Sequence, residues 1–471
     1  MAREELGGFN LGDERLSRRA HFVTERLARS PGFSLPDAFP TDSELEGTYR
    51  LLRNDAVKPE EMLAPHRRQT VARAAAASGT LIAIHDSTEF KFSGEYMREG
   101  LALLPNGTQG FLAHTTLVAS VSGDARAVHG VVNIETHFAE EENPVSKSER
   151  WSAGVEGTEA ALGEGKALHV MDKEADAYFL QAQLQTNGAR YLIRSNHSRS
   201  GMDLEGNFRK MHEGMEERRA VFCRSVRLTA RHPAEAKSKS KTGKQPLKGS
   251  AYVRTPSGKK AHPSRSEREA HLHVSAGSFI IGKTKQKSAS THVEELLVNI
   301  VRVWEPKPPN HCAPVEWLLL TNEPIDTNEQ IEALVDAYRA RWLIEDFHKA
   351  LKSGCGFERL QLEGRRSLLN ALAIYASIAW RLLRLRSAAR AHLYRADEPF
   401  LTAAQLAILR FAQPKANLGA NPSPQEILAA LAKQGGHIKR NGEPGWQVLG
   451  RGLQKILEAE LGYLAALGAK M

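Results

Sequence analysis

The spacing of apolar positions along the chain changes period several times, and each change marks an expected element. Residues 1 to about 70 carry two stretches, DERLSRRAHFVTERLAR and SELEGTYRLLRN, whose apolar residues return every three to four positions, as on a helix. SPGFSLPDAFP separates them with residues that break helices. From about residue 78 the period shortens. GTLIAIHDSTEF predicts a short apolar strand, Leu81 to Ile84, that delivers Asp86 at its end before a Ser/Thr-rich turn. HTTLVASV and AVHGVVNIETHF read as strands joined at SGDAR, a hairpin signal. KALHVMDKEADAYFL predicts another strand, Ala167 to Met171, ending in Asp172, then a helix through Ala182 and Leu184, with RYLIRS as the next strand.

Between about 205 and 316 this alternation is interrupted. VFCRSVRLTA, AHLHVSAGSFIIG and ELLVNIVRVWEP alternate like strands around KSKSKTGKQPLKGS, a loop with too little apolar content to pack. VEWLLLTNEPI then reads as one more apolar strand. Beyond 360 the pattern is helical to the end, in RRSLLNALAIYASIAWRLLRLRSAARA, LTAAQLAILRFA, SPQEILAALAKQ and WQVLGRGLQKILEAELGYLAAL.

The segment YRARWLIEDFHKALK, residues 338 to 352, is the richest in chemistry. At about 100° per residue a continuous helix places Tyr338, Arg341, Glu345, Lys349 and Lys352 within an arc of roughly 80°. Leu343, Ile344, Phe347 and Leu351 fall opposite. An ordinary amphipathic surface helix has the same outline. One carboxylate set among three cations, however, suits a phosphodiester together with a metal ion.

The spacing YxxRxxxExxxxxxK, with the run RWxIExFHKAxK around it, resembles the signature helix of the insertion-sequence-four family of bacterial DDE transposases, which includes the transposon-five transposase. MDKEAD is similar to the family's C-D-R-E-A-D block, with Met171 and Lys173 in place of Cys and Arg. WLLLTNEP is similar to its WLLLTSEP, and LGDERLSRRA with GTYRLLRN to its N-terminal DNA-recognition region.

The resemblance implies an α/β fold with a ribonuclease-H-like catalytic core over 71–204 and 317–365 and a β-rich insertion over 205–316. A helical DNA-end-binding region over 1–70 and a helical dimerisation region over 366–471 complete it. The expected catalytic and metal-binding residues are Asp86, Asp172 and Glu345, holding two Mg²⁺ ions for which Mn²⁺ substitutes. Glu174 and Asp176 compete with Asp172 but lie past the strand end, where acids start helices. A lone Asp after a strand also serves as a turn former or helix cap.

Expected DNA contacts are Tyr338, Arg341, Lys349 and Lys352 on the phosphates, Arg194 at a strand end, and Trp317 stacked on an extruded base, with Trp342 as a second aromatic there. Arg15, Arg18, Arg19, Arg50 and Arg53 are expected at the terminal repeat, and each is equally readable as a solvated surface arginine. The implied partners are transposon-end and target duplexes and a second copy of the chain. The implied reaction is cut-and-paste transposition through DNA hairpins. An inactive protein that binds ends without cutting and a ribonuclease-H-like nuclease of other specificity are the alternatives.

Composition sharpens this in three ways. The formal charge of +9 favours a polyanionic partner, and residues 231 to 270 concentrate it with eleven Lys/Arg against three Asp/Glu, 11 − 3 = +8. Cys223, Cys312 and Cys355 are scattered and odd in number, which fits a reducing compartment better than a disulfide framework. The N-terminal stretch has no signal-peptide core and no apolar run approaches a membrane span, so a cytoplasmic, nucleoid-associated protein without membrane contact is expected.

Overall fold

The computed structural model describes residues 8–94, 96–138, 146–228, 267–283, 292–310, 312, 314–391, 399–438, 442–466 and 468. The basic loop expected over KSKSKTGKQPLKGS lies outside them. The chain forms two compact units, residues 1–190 with 336–471, and residues 191–335.

Among the described residues the first unit begins with helices α1 (Glu14–Arg29), α2 (Leu35–Ala38), α3 (Asp42–Arg53) and α4 (Pro59–Ala75). Their starts are written locally. The Asp13 carboxylate accepts from the amides of Arg15 and Leu16, and the Thr41 hydroxyl accepts from that of Glu44. Strands β1 (Thr80–Lys91), β2 (Ala102–Leu103), β3 (Gln109–Ser122) and β4 (Ala125–His137) follow. Helix α5 (Lys147–Leu162), strand β5 (Leu168–Met171) and helix α6 (Tyr178–Thr186) complete the N-terminal part. β1 pairs antiparallel with β3, β3 antiparallel with β4, and β5 parallel with β1, giving a mixed sheet in the order β4-β3-β1-β5. The β3–β4 hairpin turns at Gly123, whose φ of 59° is left-handed, as a tight hairpin turn requires. One face of the sheet packs Ala83, Val118 and Val132 against Ala74 of α4 and Leu162 of α5.

Two expectations about local structure are corrected. Asp86 does not end a short strand: β1 runs on through Ser87 and Thr88 to Lys91, with Asp86 opposite Thr115 and Ser87 opposite His114. The Ser/Thr run contains neither Gly nor Pro, so nothing turns the chain, and β3 holds it extended until Phe90 packs on Phe111 and Phe357. Residues 338–352 are likewise not one continuous helix. Helix α8 (Asn328–Arg339) ends in a tight turn, with the Arg341 amide donating to the Tyr338 carbonyl at 3.1 Å, before α9 (Trp342–Lys349) begins. A π-turn (Ala350–Gly354) follows, closed by the Cys355 amide donating five residues back to Ala350 at 2.8 Å.

The C-terminal part is helical, with α10 (Arg365–Ala391), α11 (Ala403–Ala412), α12 (Pro424–Gln434) and α13 (Trp446–Ala466). By length and hydropathy the segment Arg365–Arg390 matches a membrane span, but 83% of its most apolar window is buried in protein. It is the central helix of this unit. Trp380 Nε1 donates to the Val128 carbonyl at 3.1 Å, and Asn370 Nδ2 to that of Leu52 at 3.0 Å. Close backbone approach fixes α13: a Cβ at Gly450 would lie 2.1 Å from the Gly354 carbonyl oxygen, and one at Gly452 1.9 Å from that of Leu431.

The second unit holds β6 (Arg190–Arg194), β7 (Ser200–Asp203), β8 (Phe208–Lys210), helix α7 (Met211–Glu216), β9 (Phe222–Leu228), β10 (Arg268–Gly282), β11 (Glu295–Trp304) and β12 (Glu316–Thr321). Its strands pair antiparallel in the order β6-β12-β11-β10-β7-β8, with β9 added on β10. Arg268 and Glu305 form a bidentate, buried ion pair at one end of β10 and β11.

Because α13 rests on carbonyl groups that cannot retreat, Gly452→Ala is expected to lower unfolding stability by about 1–3 kcal/mol through overpacking. Urea denaturation checks this. The same substitution at Gly462, an exposed helical position with open space where a Cβ would be added, serves as the control and is expected to raise stability by up to about 1 kcal/mol through helix propensity.

Candidate active site

The register of two parallel strands builds the site. Ile82 pairs with Leu168 and Ile84 with Val170. Two residues further along each strand, Asp86 and Asp172 therefore stand level on neighbouring strands and on the same face. Asp172 also caps the 3₁₀ turn Lys173–Ala175, its Oδ1 accepting from the Glu174 amide at 2.7 Å, so the capping role and a ligand role coexist on one carboxylate. Burial, with the Asp86 charge adding to it, raises the Asp172 pKa above the ordinary range despite that hydrogen bond and the Arg341 charge.

Helix α9 contributes the third carboxylate and its counter-charge. Glu345 Oε1 accepts from Arg341 at 2.6 Å, one turn earlier. Burial opposes the Arg341 charge, but Glu345, Tyr338 and Asp86 favour it, and its pKa is raised. Arg341 thus sits in the field of all three carboxylates. The three acids do not close up as a set. Among the described residues, the trio with ligand atoms all within 4.8 Å is instead His212, Glu216 and Glu316, in the second unit. There Arg302 stands 3.1 Å from Glu316 and 3.9 Å from Glu216, a positive charge where a cation would go.

The other expected residues are distributed as follows. Tyr338 is buried beside Arg341, Lys349 is exposed, and Trp342 is exposed with the Arg341 guanidinium 5.2 Å from its ring centre. The Lys352 ammonium turns onto β1, donating to Thr88 Oγ1 at 2.8 Å and the Glu89 carbonyl at 2.5 Å. Burial lowers its pKa, with Glu358 opposing. Glu174 lies in the 3₁₀ turn, and buried Asp176 accepts from Gln181 of α6, so both belong to the helix start. In the second unit Arg194 ends β6 and donates to the Glu316 carbonyl at 3.3 Å, while half-buried Trp317 on β12 pairs with Val303 on β11. Arg15, Arg18 and Arg19 are exposed on α1, and Arg50 and Arg53 on α3.

Sequence reasoning missed the histidines. His348, one turn after Glu345 and 5% exposed, places Nδ1 3.6 Å from Asp86 Oδ2, and its Nε2 is buried without a hydrogen-bond partner. On the opposite face of β1, Thr116 bonds His85 at 3.1 Å, His85 bonds His169 at 2.8 Å, and His169 bonds Glu159 at 2.7 Å. Ser87 bonds His114 at 2.9 Å in the same layer, and burial pushes His114 down to about 3. A signal was present, since His85 directly precedes Asp86 and His169 lies three residues before Asp172.

Comparison with known proteins now bears on this geometry. Residues 1–57 match the family model described as transposase DNA-binding, and residues 161–381 match that described as transposase DDE domain. The chain is a DDE transposase. The DDE match contains Asp172 and Glu345, whereas Asp86 precedes it. A solved structure, the cryo-EM structure of a piggyBac transposase synaptic complex with hairpin DNA, aligns over 81% of this chain and 67% of its own, at 11% identity and a TM-score of 0.35. That likeness is too distant to bear on fold or chemistry. The transposase carries a DNA-binding domain, and its DDE domain implies use of a divalent metal. Asp86, Asp172 and Glu345 fit such an ion: all are hard oxygen donors, and the pKa of Asp172, raised first by burial and then by the Asp86 charge, marks a desolvated carboxylate whose charge a dication would compensate.

A carboxylate with a raised folded-state pKa is best tolerated when protonated, and its contribution to stability falls as pH rises through that pKa. Asn cannot ionise, and its Oδ1 retains the cap. Asp172→Asn in the metal-free transposase is therefore expected to raise the melting temperature at pH 7, with the gain shrinking towards pH 4. Thermal denaturation across that range checks the sign.

Proposed function

We propose that this transposase works by cut and paste in the manner of the insertion-sequence-four family. It recognises terminal inverted repeats, excises the element through hairpin-ended DNA and joins the 3′ ends to a target. The observation that carries the proposal is the level placement of Asp86 and Asp172 on adjacent parallel strands, with Glu345 supplied by the helix whose His348 reaches Asp86. The strand order β4-β3-β1-β5 supports a ribonuclease-H-like core, in which three antiparallel strands are followed by a parallel one.

In this reading Asp86, Asp172 and Glu345 hold two Mg²⁺ ions, which when bound supply Lewis acidity at phosphate oxygens and make a water or a 3′ hydroxyl nucleophilic at neutral pH. The side chains position the reactants. Arg341 and exposed Lys349 bind the phosphates of the transposon end, and Lys352 braces β1 from behind. Water attacks the scissile phosphorus and the bond to the 3′ oxygen breaks. The freed hydroxyl attacks the opposite strand, closing a hairpin as the flanking DNA leaves through its 3′ oxygen, and a second water reopens the hairpin by displacing the transposon 3′ hydroxyl. The 3′ hydroxyl then attacks target DNA. Each step is an in-line displacement at phosphorus, with water and the 3′ hydroxyl alternating as nucleophile, so one carboxylate set serves all four. Trp317 stacks on the base extruded at the hairpin, and the helical C-terminal region over 366–471 pairs two copies in the synaptic complex.

Neutralising a carboxylate removes ligand charge without altering the DNA-binding helices. Asp86→Asn, Asp172→Asn and Glu345→Gln are each expected to reduce nicking of a labelled transposon end in Mg²⁺ below detection, while gel-shift affinity for the end is retained. Nicking at the wild-type rate by any of them removes that residue from the site.

Loss of the stacking surface should act later in the sequence. Trp317→Ala is expected to slow hairpin formation or opening at least tenfold relative to the first nick. Equal slowing of every step together with a lower melting temperature would instead assign Trp317 to the packing of β12.

A further inference from the structure

Away from the carboxylates, the first unit has an open-mouthed cavity of about 250 Å³ lined by Gly32, Ser353, Gly354, Arg359, Gln447, Arg451 and Gln454. It draws on three separate parts of the chain. Gly32 belongs to the turn after α1, Ser353 and Gly354 to the π-turn, and Gln447, Arg451 and Gln454 lie at i, i+4 and i+7 on one face of α13. Arg359 ends the 3₁₀ turn Phe357–Arg359.

We propose that this cavity binds a phosphate group. Its lining contains no carboxylate, and neither Arg359 nor Arg451 has an ion-pair partner among the described residues. The two arginines are exposed and line one space with no acid in its lining, so an anion can join them there, and their forked N–H donors suit phosphate oxygens. Gly32 keeps the space open. With a left-handed φ of 87°, a Cβ there would point into the cavity, 3.3 Å from Gln454 Oε1, 3.7 Å from an Arg359 terminal nitrogen and 3.8 Å from the Gly354 carbonyl. Gln454 donates through Nε2 to Glu458 at 2.9 Å, so it shapes the wall while the arginines provide the charge. The volume falls below the roughly 300–1,000 Å³ of pockets for drug-sized ligands, which fits one phosphate and its immediate substituent.

The phosphate belongs either to the backbone of a bound duplex or to a free phosphorylated small molecule, and the two sources separate experimentally. The full-length chain is titrated with inorganic phosphate by calorimetry, and its affinity for a duplex oligonucleotide is measured against salt concentration. Wild type is compared with the Arg359→Gln/Arg451→Gln double variant. A DNA source is expected to flatten the log–log salt slope of the variant by about one unit for each phosphate that is no longer neutralised. A free-ligand source leaves the slope unchanged and weakens saturable phosphate binding at least tenfold. Wild type and variant behaving alike in both titrations overturns the proposal. If the double variant melts below wild type, Arg451→Gln alone, on the exposed side of α13, is read by the same two measurements. Neither measurement involves strand cleavage, so the result is independent of the catalytic assignment.

Discussion

Two carboxylates held level on adjacent strands repel, and the surroundings of the site are arranged around that repulsion. Burial intensifies it, because the charges lose water as a screen. Arg341 is the protein's own answer: it bonds Glu345 and lies in the field of both aspartates. A side chain that neutralises the acids in the metal-free protein is also well placed to be transferred to a phosphate once dications take over the carboxylates. In the proposed function, the metal and DNA roles of the site therefore converge on one residue.

Rigidity behind the carboxylates has a different origin. The layer beneath β1 is built of imidazoles, linked from Thr116 through His85 and His169 to Glu159. Burial holds His85 well below its ordinary pKa, so His85 adds hydrogen bonds without adding charge beneath the acids. Gly154 of α5 admits it, since a Cβ there would lie 2.6 Å from His114 Nε2. Side-chain links running across β3, β1 and β5 resist the sliding that like-charged neighbours would otherwise promote.

Much of this organisation is legible in the sequence, and the failures have identifiable causes. The β3–β4 hairpin, the Asp172 strand with its helix, and the C-terminal helices follow from apolar period and turn residues, which act locally. The end of β1 does not follow, because its continuation past Asp86 depends on β3, a partner distant in sequence. The breaks flanking α9 are invisible for a related reason: Ala340 and Arg341 are good helix formers, and only tertiary packing shortens the turn there. The apolar face of Leu343, Ile344, Phe347 and Leu351 is buried as its period implies. Histidines go unread because imidazoles in a strand are ambiguous between core and site until their neighbours on other strands are known.

The π-turn at residues 350–354 has a consequence for how this segment can vary. It accommodates one residue more than a regular α-helical turn over the same path, and that extra residue brings Lys352 round to β1 and sets Gly354 against α13. Deleting one residue here would restore an ordinary helix while turning everything beyond it by about 100°. A gap of one in this stretch, trivial in a sequence comparison, would detach both the lysine that braces β1 and the seat of the last helix. Length between Glu345 and Gly354 is thus constrained as tightly as the identity of the residues themselves.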